Sequence, residues 1–347
     1  MLQAMDAAGN PSSVHAEGRA ARAILEKARA QVAALAGCGP DEVIFTSGAT
    51  EAARILAHPP RGADIFVDET AHDCLWTHRR LDAVETEPRS PRYTLAWGLA
   101  NSETGVIRRP SRDADGWAWG ARARAGALLL DIVQVAGRLP LSFRDEGADL
   151  AIVSAHKLGG PKGVGALIAR AGAEIAPLQE GGGQESRRRA GTENLPGIAG
   201  FGAAAEAAAR DLEAGVWTAV ERLRNILEER LSVASRDLIF VEREARRLPN
   251  TSCFAVPGWK GETQVMQMDL AGFAVSAGSA CSSGKVGPSR VLKAMGLDDV
   301  AAQSAIRVSL GPTTAEAEVH AFADAWIDRH RRFAAKRPAE DRVAADA

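Results

Sequence analysis

The sequence predicts an α/β protein, with a mostly parallel central sheet carrying helices on both faces and a smaller α/β unit after it. Three observations carry that expectation. Between residues 41 and 170 short apolar stretches alternate with helix-compatible ones, and most of the apolar stretches run into polar residues. An Ala-rich, helical run from about Leu195 to Leu231 leads out of this alternation. Beyond it, strand-like and helix-like segments begin again. Strands separated by helical lengths of chain specify parallel pairing, because a parallel neighbour is reached only through a long crossover. The boundaries that follow are 10–212 for a large domain, 213–335 for a small one and 336–347 for a polar tail that frays.

In order, DEVIFTSG (41–48) reads as a strand entering a small-residue turn, with ATEAARILA after it compatible with a helix. ADIFVD (63–68) is a second strand, and TLAWGLANSETG (94–105) carries an apolar run into a polar loop. ALLLDIVQ (127–134) and ADLAIVSAHK (148–157) repeat the scheme, and VGALIAR (164–170) adds one more strand. Gly215 is the expected break in the Ala-rich run. The small unit follows as NTSCFAVPG, the helix QVMQMDLAG, FAVSAGSACSSG, SRVLKAMG, the strand SAIRVSLGP and a final helix from about Ala315. Ligands of such sheets bind outside the carboxyl ends of the strands. Thr50, Ser102, Asp131, Gln134, Ser154, His156 and Lys157 fall there.

The bulk numbers narrow the classes. A chain of 347 residues has room for two domains at about 150 residues each. Its 46% hydrophobic and 25% charged residues are ordinary for a globular protein, and a net charge of -2 makes no electrostatic case for nucleic acid or a membrane surface. No apolar run approaches the ~18 residues of a membrane-spanning helix, and MLQAMDAAGN lacks the basic-then-apolar pattern of a signal peptide. The four cysteines (Cys38, Cys74, Cys253, Cys281) are scattered without a CxxC pair, so neither a disulfide framework nor a cysteine zinc site is expected. No HExxH occurs, and no metal site is expected. A reducing, cytoplasmic setting is the natural reading.

Four segments carry chemistry. SAGSACSSG (276–284) places Cys281 among Ser, Ala and Gly rather than in the apolar context of a packed thiol, which points to reactivity. TSGATE (46–51) leaves a strand and opens a helix, where small residues let backbone N–H groups approach a phosphate; an ordinary turn capped by Thr50 reads equally well. DIVQ (131–134) sets an acid at a strand end, suited to pairing a ring nitrogen, ligating a metal or capping the next element. SAHKLGGPKGVGAL (154–167) puts Lys157 at a strand end beside Ser154 and His156, ahead of glycines that keep the loop near the sheet. A desolvated lysine is the usual Schiff-base former, although a surface lysine in a Gly-Pro turn has the same local sequence. Together, phosphate turn, strand-end Asp and lysine are what a pyridoxal phosphate site needs.

The chain resembles the class V cysteine desulfurases of NifS/IscS type, fold-type I pyridoxal phosphate enzymes. The resemblance is carried in one order by GNPSSVHAEGR, TSGATE, the His of TAHD, ANSETGV, DIVQ, SAHKLGGPKG, GGGQESRRRAGT, SAGSACSS and SAIRVSLG, over nearly the whole chain. It implies pyridoxal 5'-phosphate as cofactor, with Lys157 the Schiff-base and proton-shuttling residue, Asp131 on the pyridinium nitrogen and Gln134 on the ring hydroxyl. His72 is implied to stack on the ring and assist proton transfer. Ala49, Thr50, Ser154, His156 and Ser102 are implied cofactor contacts, and Thr192 reaches the phosphate of a neighbouring subunit, so a homodimer is expected. Arg307 is implied to grip the substrate carboxylate, with Asn101 also on the substrate. The implied reaction converts L-cysteine to L-alanine, with the sulfur taken by Cys281 as a persulfide. That sulfur passes to an acceptor protein, an Fe–S scaffold or a sulfurtransferase, for Fe–S cluster, thio-cofactor or tRNA synthesis. The stretch CSSGKVGPSRVL matches the long-loop, IscS-like group.

Departures from the family pattern are also legible. Met1 falls just before AMDAAGNPSS, where the family carries a further strand and an Ala-Thr-Thr-Pro segment. Ser102 stands where an Asn is usual, Gln184 where some members have His, and the span from His72 to Asn101 is short. They leave two competing expectations open: a relative acting on selenocysteine or another amino acid, and a degenerate, non-catalytic paralogue.

Overall fold

The computed structural model describes residues 1–58, 65–79, 93–119, 123–278 and 287–336. The chain divides into two compact units, one made of Met1–Ala100 with Arg108–Ala214, the other joining Asn101–Ile107 to the chain from Gly215 onward.

The first unit holds, in chain order, α1 (Leu2–Met5), α2 (Ala16–Ala36), β1 (Val43–Thr46), α3 (Ala49–Ala52), β2 (Ile65–Val67), α4 (Asp73–Trp76), β3 (Thr94–Gly98), β4 (Arg112–Asp113), β5 (Gly116–Trp119), β6 (Ala123–Ala125), β7 (Ala127–Asp131), β8 (Leu150–Ser154), β9 (Gly165–Ala169) and α5 (Leu195–Glu213). The main sheet runs β1-β9-β8-β7-β3-β2. β2, β3, β7 and β8 are mutually parallel, while β9 is antiparallel to both β8 and β1, so five of the six strands share one direction. The strands read as unbroken apolar runs because both faces are covered. On one face Ile44, Leu167, Ile152, Leu129, Ala96 and Ile65 form a continuous core with Ala52 of α3 and Leu75 of α4. On the other face Phe45 meets Phe201 of α5 edge-on at 6.3 Å, and the Arg29 guanidinium of α2 lies 4.8 Å above its ring. Helices therefore lie on both faces, as the sequence predicts.

α2 begins where His15 Nδ1 accepts the Gly18 N–H at 3.2 Å and ends at Gly37, whose φ of 67° gives the left-handed cap that a side chain resists. The small antiparallel sheet β4-β5-β6 leaves no mark in the sequence, since strands of two to four residues are too short to show a period. The helix expected in ATEAARILA tightens after one turn into a 3₁₀ segment over Ala53–Ala57.

The second unit contains α6 (Val216–Ala234), β10 (Ile239–Phe240), β11 (Thr251–Ala255), α7 (Gly261–Asp269), β12 (Ser276–Ala277), α8 (Arg290–Ala294), α9 (Asp299–Ser304), β13 (Ala305–Ser309) and α10 (Glu316–Ala335). Its antiparallel sheet runs β10-β11-β13-β12, and Phe254, Ile306 and Val308 pack with Leu227 and Leu231 of α6 and with Phe322 and Trp326 of α10. The buried Trp326 donates its indole N–H to Gln264 Oε1 at 3.1 Å. The Gln264 amide in turn donates to the Trp259 and Ser304 carbonyls, both at 2.8 Å. This core polar group is thus satisfied at both ends, as burial requires. Among the described residues no helix is long and apolar enough to cross a membrane.

Candidate active site

Register brings the predicted residues of the first unit to one end of its sheet. β1 ends at Thr46 and β8 at Ser154, and both face Gly165 at the start of β9. β7 ends at Asp131, opposite Gly98 of β3 and Ile152 of β8. The turns carrying Ala49 and Thr50, Asp131 and Gln134, and Ser154, His156 and Lys157 therefore leave the sheet side by side. Gly165 is obligatory for this closeness: a Cβ there would lie 2.5 Å from the Val153 carbonyl oxygen and 2.7 Å from Gly48 Cα. The TSG turn is tied down by the Ala49 N–H, which donates to Ser154 Oγ at 2.9 Å. An accepting hydroxyl still has its own proton to donate. Thr50 is exposed, as is His156, whose ring is held below its ordinary pKa by burial and by the charges of Lys157 and Lys162.

Asp131 is buried at 8% exposure and accepts the Val133 N–H at 2.9 Å. Burial pushes its carboxyl up, against the pull of that N–H and of His72 and Lys157. The residues fit the pyridoxal phosphate that the resemblance implies: a protonated ring nitrogen is the countercharge that returns such a carboxylate to its ionised form. His72 stands exposed at the N-cap of α4, where Nδ1 accepts the Cys74 N–H at 3.1 Å. That bond assigns the proton of the neutral ring to Nε2.

Sequence reasoning missed three groups that organise this end of the sheet. Arg138 donates to the carbonyls of Gln134 and Lys157, each at 2.6 Å. Arg29 and Glu185 form a two-pronged ion pair, both prongs 2.8 Å, that anchors the GGGQESRRRAGT segment. No local pattern marks either, because each links distant parts of the chain. Glu185, Ser186 and Arg187 follow one another with φ of 47°, 55° and 65°. Left-handed backbone costs an L-residue roughly 1–2 kcal/mol, of which glycine's lost entropy would return about half. Ser186 is exposed, so Ser186→Gly is expected to raise stability by about 0.5–1 kcal/mol, read as a higher urea midpoint with unchanged slope. Thr192, at the end of this segment, is exposed.

The second unit holds Asn101, Ser102 and Arg307. Asn101 is buried, and its Oδ1 accepts the Glu103 and Thr104 N–H groups at 2.9 Å, which shapes the turn. Arg307 on β13 donates from Nη1 to the Ser102 carbonyl at 2.6 Å and from Nη2 to Ser276 Oγ at 3.2 Å. Its Nε is buried with no hydrogen-bond partner among the described residues. Ser289 Oγ donates to Glu103 Oε2 at 2.7 Å, and a Cβ on Gly278 would strike the same oxygen. Cys281, predicted as the sulfur carrier, lies outside the described residues. Of the other thiols, burial pushes Cys38 and Cys253 up to about 12 and pushes Cys74 up as well.

Comparison with known proteins identifies a family. The aminotransferase class-V family model matches residues 1–77 and 88–322. The chain is 40% identical to a cysteine desulfurase of Cereibacter sphaeroides over 90% of its own length and 86% of that protein. It is 38% identical to a cysteine desulfurase of Frankia sp., over 97% and 89% of the respective lengths. Among solved structures it is similar to a NifS-like protein from Rickettsia africae, with a TM-score of 0.81, 28% identity, and coverage of 95% and 94% of the two chains.

Proposed function

The chain belongs to the aminotransferase class-V family, and on that premise we propose that this pyridoxal phosphate-dependent cysteine desulfurase carries sulfur from L-cysteine on Cys281 as a persulfide. The observation that carries this reading is the buried Asp131 at a strand end beside the turn of Lys157, in a cradle closed by Ala49 and Ser154. Bound there, pyridoxal phosphate supplies an electron sink for the substrate's Cα. Asp131 holds the ring nitrogen protonated, Gln134 meets the ring hydroxyl, and Thr50, Ser154 and His156 hold the phosphate. A neutral His156 does so as a hydrogen-bond donor, in keeping with its lowered pKa. Lys157 would hold the cofactor and would move the proton at the substrate's Cα. His72 gives a hydrogen bond from Nε2, and accepting a proton there requires release of its cap bond to Cys74. Arg307 orients the substrate carboxylate, and its buried Nε–H, without a hydrogen-bond partner among the described residues, supports that role.

Cys281 acts as thiolate. Its Sγ forms a bond to the substrate sulfur while the Cβ–S bond breaks, and the electron pair stays with the carbon fragment, which takes up protons to leave as alanine. The raised pKa values of Cys38, Cys74 and Cys253 support Cys281 as the carrier, since a protonated thiol is a poor nucleophile. We further read the protein as a cytoplasmic homodimer in which exposed Thr192 serves the partner's phosphate, and an Fe–S scaffold or sulfurtransferase as the acceptor.

The test is alanine formation from L-cysteine with reductant and pyridoxal phosphate, for wild type and Cys281→Ser. Alanine from wild type and none above background from the variant is the expected result. Equal alanine from both sinks the persulfide. Absence of alanine from both, with cofactor bound, points to another substrate or a non-catalytic paralogue.

A further inference from the structure

We propose that Arg138 is a positioning residue that holds the turn of Lys157 in register with the turn of Asp131 and Gln134. The backbone ladder between β7 and β8 ends at Asp131 opposite Ile152. Past that point, where the Ile132 N–H still donates to the Ile152 carbonyl at 3.1 Å, the two turns leave the ladder, yet they carry groups that must meet one small ring. Arg138 is half-buried and follows Gly137, where φ is 76° and a Cβ would lie 2.8 Å from Ala208 Cβ. One prong of its guanidinium donates to the Gln134 carbonyl at 2.6 Å and the other to the Lys157 carbonyl at 2.6 Å. A planar fork spans two acceptors in a fixed geometry, whereas a lysine ammonium is a point donor on a flexible stem. The cross-link thus acts on the backbone from which the lysine reaches the cofactor, and a misplacement of about 1 Å in such a site costs orders of magnitude in rate.

The inference rests on Lys157 being the cofactor's covalent partner, and the test separates the two. The full-length chain, prepared free of cofactor, is titrated with pyridoxal phosphate as wild type, Arg138→Met, Lys157→Ala and the double variant, with urea unfolding of each cofactor-free form alongside. Arg138→Met is expected to weaken cofactor binding about tenfold when Lys157 is present and only about twofold when it is Ala, because neighbours sharing one function are not additive. Arg138→Lys, which keeps charge and stem, is expected to fall between and serves if the Met variant fails to fold. Equal losses in both backgrounds, or a lower unfolding midpoint with unchanged affinity, overturn the positioning role and leave the functional reading intact. A wild type that takes up no pyridoxal phosphate overturns that reading itself.

Discussion

Asp131→Asn is expected to lower desulfurase turnover about 10²–10³-fold while leaving the cofactor-free protein as stable as before or more so. The two effects have one cause. The Asp131 carboxylate is buried and desolvated, and burial raises its pKa despite the Val133 N–H and the charges of His72 and Lys157. For an acid whose folded pKa is raised, stability is fully present below the unfolded value and is lost as pH rises through the folded one. The cofactor-free wild type should therefore weaken from the ordinary carboxylate range upward. The Asn variant, with nothing to ionise, should not follow it. On the proposed reading the bound cofactor would set a cationic ring nitrogen against Asp131, and Asn would hold the ring without keeping it protonated. Urea midpoints of both proteins at pH 5 and pH 8, with alanine formation at pH 8, check the pair. A variant that keeps more than a tenth of wild-type turnover would remove Asp131 from the cofactor's nitrogen.

Glu185→Gln is expected to cost about 3 kcal/mol of stability. Arg29 and Glu185 are both buried, and removing the Glu185 charge leaves the Arg29 guanidinium with only the exposed Glu26, 3.1 Å from its Nε, to balance it. The pair does more than neutralise itself. β1 is an edge strand, and Glu185 accepts the Phe45 N–H at 2.9 Å while Arg29 donates to the Val43 carbonyl at 2.8 Å. The ion pair thus closes an open sheet edge. For that reason the double change Arg29→Met with Glu185→Leu should recover only part of the loss, since two backbone groups lose their partners at about 1–3 kcal/mol each. Urea denaturation of the cofactor-free chain decides it, and a single-variant loss below about 1 kcal/mol would show the pair to be dispensable.

Much of the first unit was legible because strand ends announce themselves locally. LLLD and LAIVS are apolar runs that stop at a polar residue, and covered strands leave no other place for Asp131 and Ser154 than their ends. The Gly215 break was legible too, since the chain turns there at φ 70° between α5 and α6. Other features carried no local mark. VGALIAR reads as a strand, yet side-chain pattern is the same for either direction, and β9 turns out antiparallel to its neighbours. The β4-β5-β6 sheet rests on runs too short for a period, and the Arg29–Glu185 pair joins positions 156 apart.

By itself, then, the sequence determined the α/β class, the strand positions, the order of the motifs and which residue types stand at strand ends, because period, apolarity and turn chemistry act over a few neighbours. Only the tertiary structure decided the direction of β9, the left-handed run at Glu185–Arg187, the guanidinium bridge from Arg138 to Lys157 and the depth at which Asp131 is desolvated. Each of those depends on groups far apart in the chain being brought to one point. Burial and hydrogen-bond geometry at that point belong to the packed molecule, not to any stretch of it.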